Sequence, residues 1–525
     1  MVTRCSLQIS PTHRRVAGFV RLACAAASLL GLAAPASADE TPLTFSPAVN
    51  FFFPEPFFPT MFRARDLDGD GRLDVAVSGR DPDRRLFVLR GGTAATFSVM
   101  QILPADGFTD WLEFADLDRD GLVDLVTAWR GDVPRLVMYP GVGGGMFGAP
   151  EVLVGVAEDG STAAGMGRDP QGVAVGDFDG DGDIDIAVTQ YAGLGVDVFT
   201  NQGRVAGALR FERTSRVRLG AFLGGFGYPR VILAGDVDGD GDLDLVANQI
   251  GGGRVAVLRN EGGRFPRAVE YRAPLIGEQR PGISSMQLVD LDGDGDLDIA
   301  LPGLLLDSPQ KIVAFINDGS GSFTQRLVGV GADLGYAFAI ACADFDGDGD
   351  VDAVTGQALP GGLAILRRVG GAPNGSFEFE VDAAPQFGQL TRHLDAFDVD
   401  GDCDLDIVGI DGPGRVLFVR RNTTPQVTSC DGVTALRRGG ATDVAGAIDL
   451  SDAEVAVHPD EAQKRPRAVP REPVVVYDLD ENGVRDAADV AMWLVNLRRP
   501  PSTASTPHAP GSVRDVSTSR KEVRP

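Results

Sequence analysis

Carboxylates at a fixed spacing are the chemistry that this sequence repeats. The stretch DLDGDGRLD has Asp at positions 1, 3, 5 and 9, and the same arrangement occurs seven times. The acids are Asp66, Asp68, Asp70 and Asp74; then Asp116, Asp118, Asp120 and Asp124; then Asp177, Asp179, Asp181 and Asp185. Next come Asp236, Asp238, Asp240 and Asp244, followed by Asp290, Asp292, Asp294 and Asp298. Asp344, Asp346, Asp348 and Asp352 form the sixth set, and Asp398, Asp400, Asp402 and Asp406 the seventh. Position 6 is glycine in every copy but the last, where it is Cys403. Hard oxygen donors on alternate residues, folded back by a glycine that permits a tight turn, suit a calcium ion with its six to eight oxygen ligands. An Asp-Gly-rich hairpin turn is the bland reading of any single copy. Seven copies that each keep all four acids favour calcium.

The copies lie 50, 61, 59, 54, 54 and 54 residues apart, the mark of a repeat architecture. An EF-hand would need Glu at position 12 and a helix after it. Here position 12 holds residues such as Val77, Thr127 and Val188, within short β-branched runs like DLDLVANQI that read as strands. Upstream, four residues before the first Asp, stand Phe62, Leu112, Val173, Ile232, Met286, Ile340 and Leu394. Two before it stand Ala64, Phe114, Val175, Ala234, Leu288, Cys342 and Ala396. All are apolar, so another strand with one buried face precedes each loop. A third strand follows, as in VAVLRN, and then Phe97, Phe147, Phe211, Phe265, Phe323 or Phe377 opens a fourth. Only six such phenylalanines follow seven loops. The missing strand is found at the other end, where Phe45-Ser46-Pro47-Ala48-Val49 matches Phe265-Pro266-Arg267-Ala268-Val269. The expected fold of residues 39–424 is therefore all-β, a seven-bladed β-propeller of four-stranded blades closed by the N-terminal strand.

A Gly-x-Phe strand followed by a DxDGDGxxD hairpin resembles the FG-GAP or VCBS repeat family, which includes the integrin α-subunit propeller. The resemblance covers residues 43–422. It implies calcium in the hairpins and ligand contacts on the opposite face, and it carries over no catalytic residue. Cys403 departs from its pattern. If the hairpins mark one face, the innermost strands begin on the other, at Asp110, Trp111, Gln171, Arg230, Tyr336, Arg392 and His393. These are the candidate ligand-contacting residues, although a lone His at a strand start is more often structural. The segment Phe51 to Phe58 leads to the same rim, where packing between the last and first blades is the preferred reading.

The net charge of −26 sits largely in the loops and argues against nucleic acid, which needs a basic footprint. Residues 1–38 read as an export signal: Arg14, Arg15 and Arg21, an apolar run Leu22 to Ala34, then Ala36-Ser37-Ala38. That run is too short to span a bilayer, and no other stretch is a transmembrane candidate. The expected localisation is secreted, cell-surface or periplasmic. Of the cysteines beyond the signal, Cys342 reads as a buried free thiol, and Cys403 and Cys430 form a candidate disulfide pair.

Residues 425–499 change character. Asp478, Asp480, Asn482, Asp486 and Asp489 supply oxygen at positions 1, 3, 5, 9 and 12, and an amphipathic VAMWLVNL follows. Loop then helix describes a small α-helical, EF-hand-like site. Asp at position 12 resembles the dockerin family, which uses two such units. The upstream half aligns Asp443, Gly446, Asp449 and Asp452 but has Ala441 and Ala445 at ligand positions, so it reads as degenerate. The resemblance implies a cohesin-like or cell-surface partner. Residues 500–525 read as a disordered tail. Together the loops suggest about seven or eight calcium ions. The function expected is extracellular protein or glycan binding or adhesion, without catalysis. The alternative is a polysaccharide lyase or hydrolase, which would need paired carboxylates or a His/Tyr/Arg group outside the metal loops.

Overall fold

In the computed structural model, the described residues are 42–425 except 81, 132, 156–165, 168, 220–227, 251–252, 274–284, 303–310, 330–336, 358–360, 371–376, 386–387 and 389. The expected C-terminal module and tail, with Asp478, Asp480, Asn482, Asp486 and Asp489, lie outside them, as do Tyr336, Cys430 and the export signal.

Each repeat folds into one four-stranded antiparallel sheet. In the first blade, Phe58–Arg65 runs into the acid loop, Asp74–Arg80 and Arg85–Gly91 return beside it, and Phe97–Pro104 lies outermost. Six further sheets repeat this order, their first strands beginning at Phe108, Pro170, Tyr228, Gln287, Ala337 and Thr391. Among the described residues there is no α-helix, only the short 3-10 turn Thr93–Ala95.

The strand pattern follows from what each position must touch. The residue four before each acid loop is buried in all seven blades. The second strands are more uniform still, with all seven residues of Asp74–Arg80 and of Asp124–Arg130 buried. Strands covered on both faces need apolar or β-branched side chains throughout. The core accordingly lies between neighbouring blades: Phe62, Val75 and Phe87 of the first pack with Val408, Ile410 and Leu417 of the last.

Ring closure is as the sequence suggests. Val49–Phe52 forms the outer strand of the last blade, pairing Val49 with Val419 and Phe52 with Val416. Phe45 bridges Asn422, and the Ser46 and Thr423 amides each donate 2.8 Å hydrogen bonds across the seam, to the Arg421 and Thr44 carbonyls. The phenylalanine-rich segment packs as expected: Phe53 and Phe57 are buried against Phe87, with ring centroids 5.4 and 4.6 Å away.

One expectation changes. Only Phe97 and Phe323 open a fourth strand. Phe211 sits inside Ala208–Arg218, and Phe265 and Phe377 precede their strands. Phe147 belongs to the short hairpin Gly141–Gly143 with Met146–Phe147, and the fourth strand of its blade is Glu151–Val154. The recurring ring is placed by packing rather than by strand position. Phe265 meets Phe178 edge-on at 5.7 Å, and Phe45 meets Phe345 likewise at 5.7 Å. Phe178 and Phe345 are second residues of the acid loops, so the ring braces the loop of the preceding blade.

Candidate metal centres and the opposite face

Each acid loop is wound by its own carboxylates. The first Asp accepts, through Oδ2, the amide of position 6 at 2.9–3.1 Å in all seven copies. The fifth accepts the amide of position 7 at 2.8–3.1 Å. These turns draw position 6 into the left-handed region, at φ 83° for Gly71 and 99° for Gly295, where a glycine costs nothing. Cys403 takes the same conformation at φ 77° with a side chain attached. It is disulfide-bonded, its partner lying outside the described residues, while Cys342 is a free thiol.

The ninth Asp has a second task. It is buried in every copy. Its Oδ2 accepts the amide of position 2 at 2.9–3.2 Å, which closes the loop. Its Oδ1 accepts an amide at the end of the third strand at 2.7–2.9 Å. In four blades that residue is asparagine, and its Nδ2 donates to the loop of the preceding blade: Asn201 to the Leu117 carbonyl, Asn260 to Phe178, Asn317 to Val237 and Asn422 to Phe345, at 2.6–2.9 Å. Sequence reasoning missed these asparagines. Their signal is a third strand ending in Asn, 16 residues past the ninth Asp in three of the four blades.

The remaining carboxylate oxygens converge. Three acids offer atoms within 4.8 Å of one another in the groups Asp66-Asp68-Asp70, Asp116-Asp118-Asp124, Asp177-Asp179-Asp185, Asp236-Asp238-Asp244 and Asp290-Asp292-Asp294, and in two more. The Oδ1 atoms of Asp177, Asp238, Asp292 and Asp400 are buried without a hydrogen-bond partner. Buried anionic oxygens left unpaired are costly, and a hard divalent cation satisfies them. Burial first, and neighbouring acids second, raise the carboxyl pKa values of Asp238 and Asp292, and push Asp346 up to about 7. Burial also pushes the ninth acids Asp124, Asp185, Asp244, Asp298 and Asp406 up to about 6, 7, 8, 7 and 7. Arginines meet some third-position acids, as Arg90 meets Asp68 at 2.9 Å and Arg259 meets Asp238 at 3.3 Å. The donor set therefore fits calcium, drawn from positions 1 and 3 together with 5 or 9, and position 9 also holds the frame.

On the opposite face, the first strands turn their other side toward the ring axis. Asp110, Trp111, Arg230, Arg392 and His393 line one cavity of about 40 Å³, whereas Gln171 is buried outside its lining. Sequence reasoning missed the charges that organise it. Arg63 donates to both oxygens of Glu113, at 2.8 and 2.7 Å, and the Trp111 indole donates to Glu113 Oε1 at 2.8 Å. His393 stands edge-on to Phe62 at 4.9 Å, with Nε2 3.4 Å from Arg63. Burial, reinforced by Arg63, holds its pKa well below the usual histidine value, so it is a neutral packed ring. Arg392 lies 4.7 Å over the Phe58 ring. Asp110 takes Arg80 and Arg130, which outweigh its burial and keep its carboxyl well below the ordinary range.

A family model described as FG-GAP-like repeat matches residues 66–127, 177–247 and 236–301. No curated protein matches the chain. A solved structure of BBS1N in complex with ARL6DN, soaked with lead, is similar over 74% of this chain and 98% of that one, at 12% identity and a TM-score of 0.43. Among the described residues, no helix is long and apolar enough to cross a membrane. The chain carries FG-GAP-like repeats on an all-β, seven-bladed propeller of four-stranded blades.

Proposed function

We propose that this chain is an exported, calcium-stabilised and non-catalytic propeller. It binds an extracellular protein or glycan on the face opposite its acid loops, and its C-terminal module joins it to a cohesin-like or cell-surface partner. The observation that carries this reading is the sevenfold repetition of the acid loop, four copies of which hold a buried carboxylate oxygen without a partner on the protein. Calcium held there would neutralise the loops and lock each blade's first hairpin, leaving the far face as a rigid platform. The acids that line the cavity are Asp110, held by Arg80 and Arg130, and Asp395, whose Oδ1 accepts the Ala396 amide at 2.9 Å, while Glu113 close by is held by Arg63; these commitments support binding over catalysis.

Glycan and protein arrays probed with the full recombinant chain, in calcium and in chelator, test the reading. Binding to a restricted ligand set that fades on chelation is expected. Turnover of an arrayed polysaccharide, or binding indifferent to calcium, would contradict it.

A further inference from the structure

Arg230 is the charge on the far face that the fold leaves unanswered. It is the third residue of Tyr228–Gly235 and only 9% exposed, and it lines the 40 Å³ cavity. Its carbonyl accepts the Thr189 hydroxyl at 3.0 Å, but its guanidinium makes no ion pair or hydrogen bond with a described residue. The obvious partner, Asp110, is already committed: Oδ1 takes Arg80 Nε at 3.3 Å, and Oδ2 takes Arg130. Arg130 in turn reaches Asp169 at 2.9 Å. Three guanidiniums from three blades thus converge on the carboxylates of Asp110 and Asp169, while Asp395 lines another part of the same cavity. Burial lowers the Arg230 pKa even though Asp110 pulls it up, as befits a cation short of counter-charge. A forked guanidinium in a water-poor pocket is best satisfied by a planar carboxylate bound through two parallel hydrogen bonds.

The cavity is too small for a sugar ring but admits a group of carboxylate size. Outside the residues that line it, Tyr191 and Tyr228 stack with centroids 4.3 Å apart and planes 14° from parallel, both half-buried. Tyr228 lies two residues before Arg230, and Tyr191 is close enough to feel its charge. A flat aromatic wall beside a carboxylate-sized hole suits a sugar ring that carries its acid on one edge. We infer that the Arg230 cavity receives the carboxylate of an acidic sugar, a uronate, whose ring rests against the Tyr191-Tyr228 pair. The inference rests on the binding function proposed above and names the class of ligand for that face.

The test uses the calcium-loaded full chain and four probes: methyl glucuronoside, its neutral methyl ester, methyl glucoside and a capped glutamate peptide. Titration calorimetry should show binding of the uronoside alone. Arg230→Met, of similar length and without charge, should weaken it about thirtyfold or more, the usual loss when one partner of a buried charged pair is removed. Arg230→Lys keeps the charge without the fork and should fall between. Should Arg230→Met fail to fold, the ester comparison on the wild type and the Lys variant still decide. Equal binding of ester and acid, unchanged affinity in both variants, or no uronoside binding at tens of millimolar would overturn the inference. Binding of the glutamate peptide as strong as that of the uronoside would overturn the assignment to a sugar. Melting of the same samples with and without calcium separates the two claims. A calcium response without a uronoside response removes this inference alone, and loss of both removes the proposed function as well.

Discussion

Replacing Asp244 by Ala and Asp292 by Asn should separate the two tasks that the acid loops combine. Asp244 is wholly buried, and its oxygens accept the Val237 amide at 3.2 Å and the Asn260 amide at 2.7 Å. Truncation leaves two buried N–H groups unpaired, at about 1–3 kcal/mol each, so about 2–6 kcal/mol in all. It also loosens Asn260, which reaches the Phe178 carbonyl of the preceding blade at 2.7 Å. Against a total stability of roughly 5–15 kcal/mol, that loss should be plain without any metal. Asp292 differs. Its Oδ1 is buried without a partner, and Asp290 and Asp294 repel it. Asp292→Asn should therefore leave the metal-free protein as stable as wild type, or more so. In calcium it forfeits what one site contributes, about 2.7 kcal/mol at a hundredfold excess over the dissociation constant. Thermal melts of both variants, in chelator and in calcium, are the assay. If Asp244→Ala melts like wild type in chelator, or Asp292→Asn costs as much there as Asp244→Ala, the division of labour is wrong.

Deleting residues 42–52 removes the outer strand of the last blade and opens the ring, so a large fall in melting temperature is expected; a change of a degree or two would contradict closure through Val49–Phe52. Cys403→Gly should relieve a left-handed side-chain residue and stabilise the reduced protein by about 1–2 kcal/mol, while under oxidising conditions the lost disulfide should outweigh the gain. Equal stability of the reduced forms would refute the strain. Acidity should help the metal-free protein. Burial pushes five of the ninth acids up to about 6 to 8 in the folded protein, against about 4 unfolded, so their contribution is complete below pH about 4 and is lost as pH rises through 6 to 8. In chelator, the melting temperature should therefore fall between pH 5.5 and 8, and the increment added by calcium should grow over the same range. A chelated protein that gains stability with rising pH would contradict this.

The blades and acid loops were legible because each repeat solves the same local problem: four acids, a tight turn and alternating apolar residues recur within about ten positions. Closure was legible because the one unmatched strand at residues 45–49 reads like its counterpart at 265–269. The far face was not, because its partners are distant and differ between blades. Arg63 pairs with Glu113 fifty residues on and touches His393 another 280 later, so no single repeat shows the pattern. The sequence predicts one buried face for each first strand; Arg63, Glu113 and Asp395, at the intervening positions, are buried as well. The bracing phenylalanines misled for a related reason. Phe147 keeps its packing role while a short hairpin moves the strand elsewhere, and periodicity reports burial more faithfully than strand boundaries.

Calcium stoichiometry tests the central claim most directly. The full chain, stripped with chelator and dialysed to saturation, should hold about seven or eight ions by elemental analysis, with a melting temperature that falls on chelation and returns on calcium but poorly on magnesium, which insists on a tighter octahedral shell. A stripped protein that binds no calcium and melts unchanged would reduce all seven loops to turns held by their own hydrogen bonds.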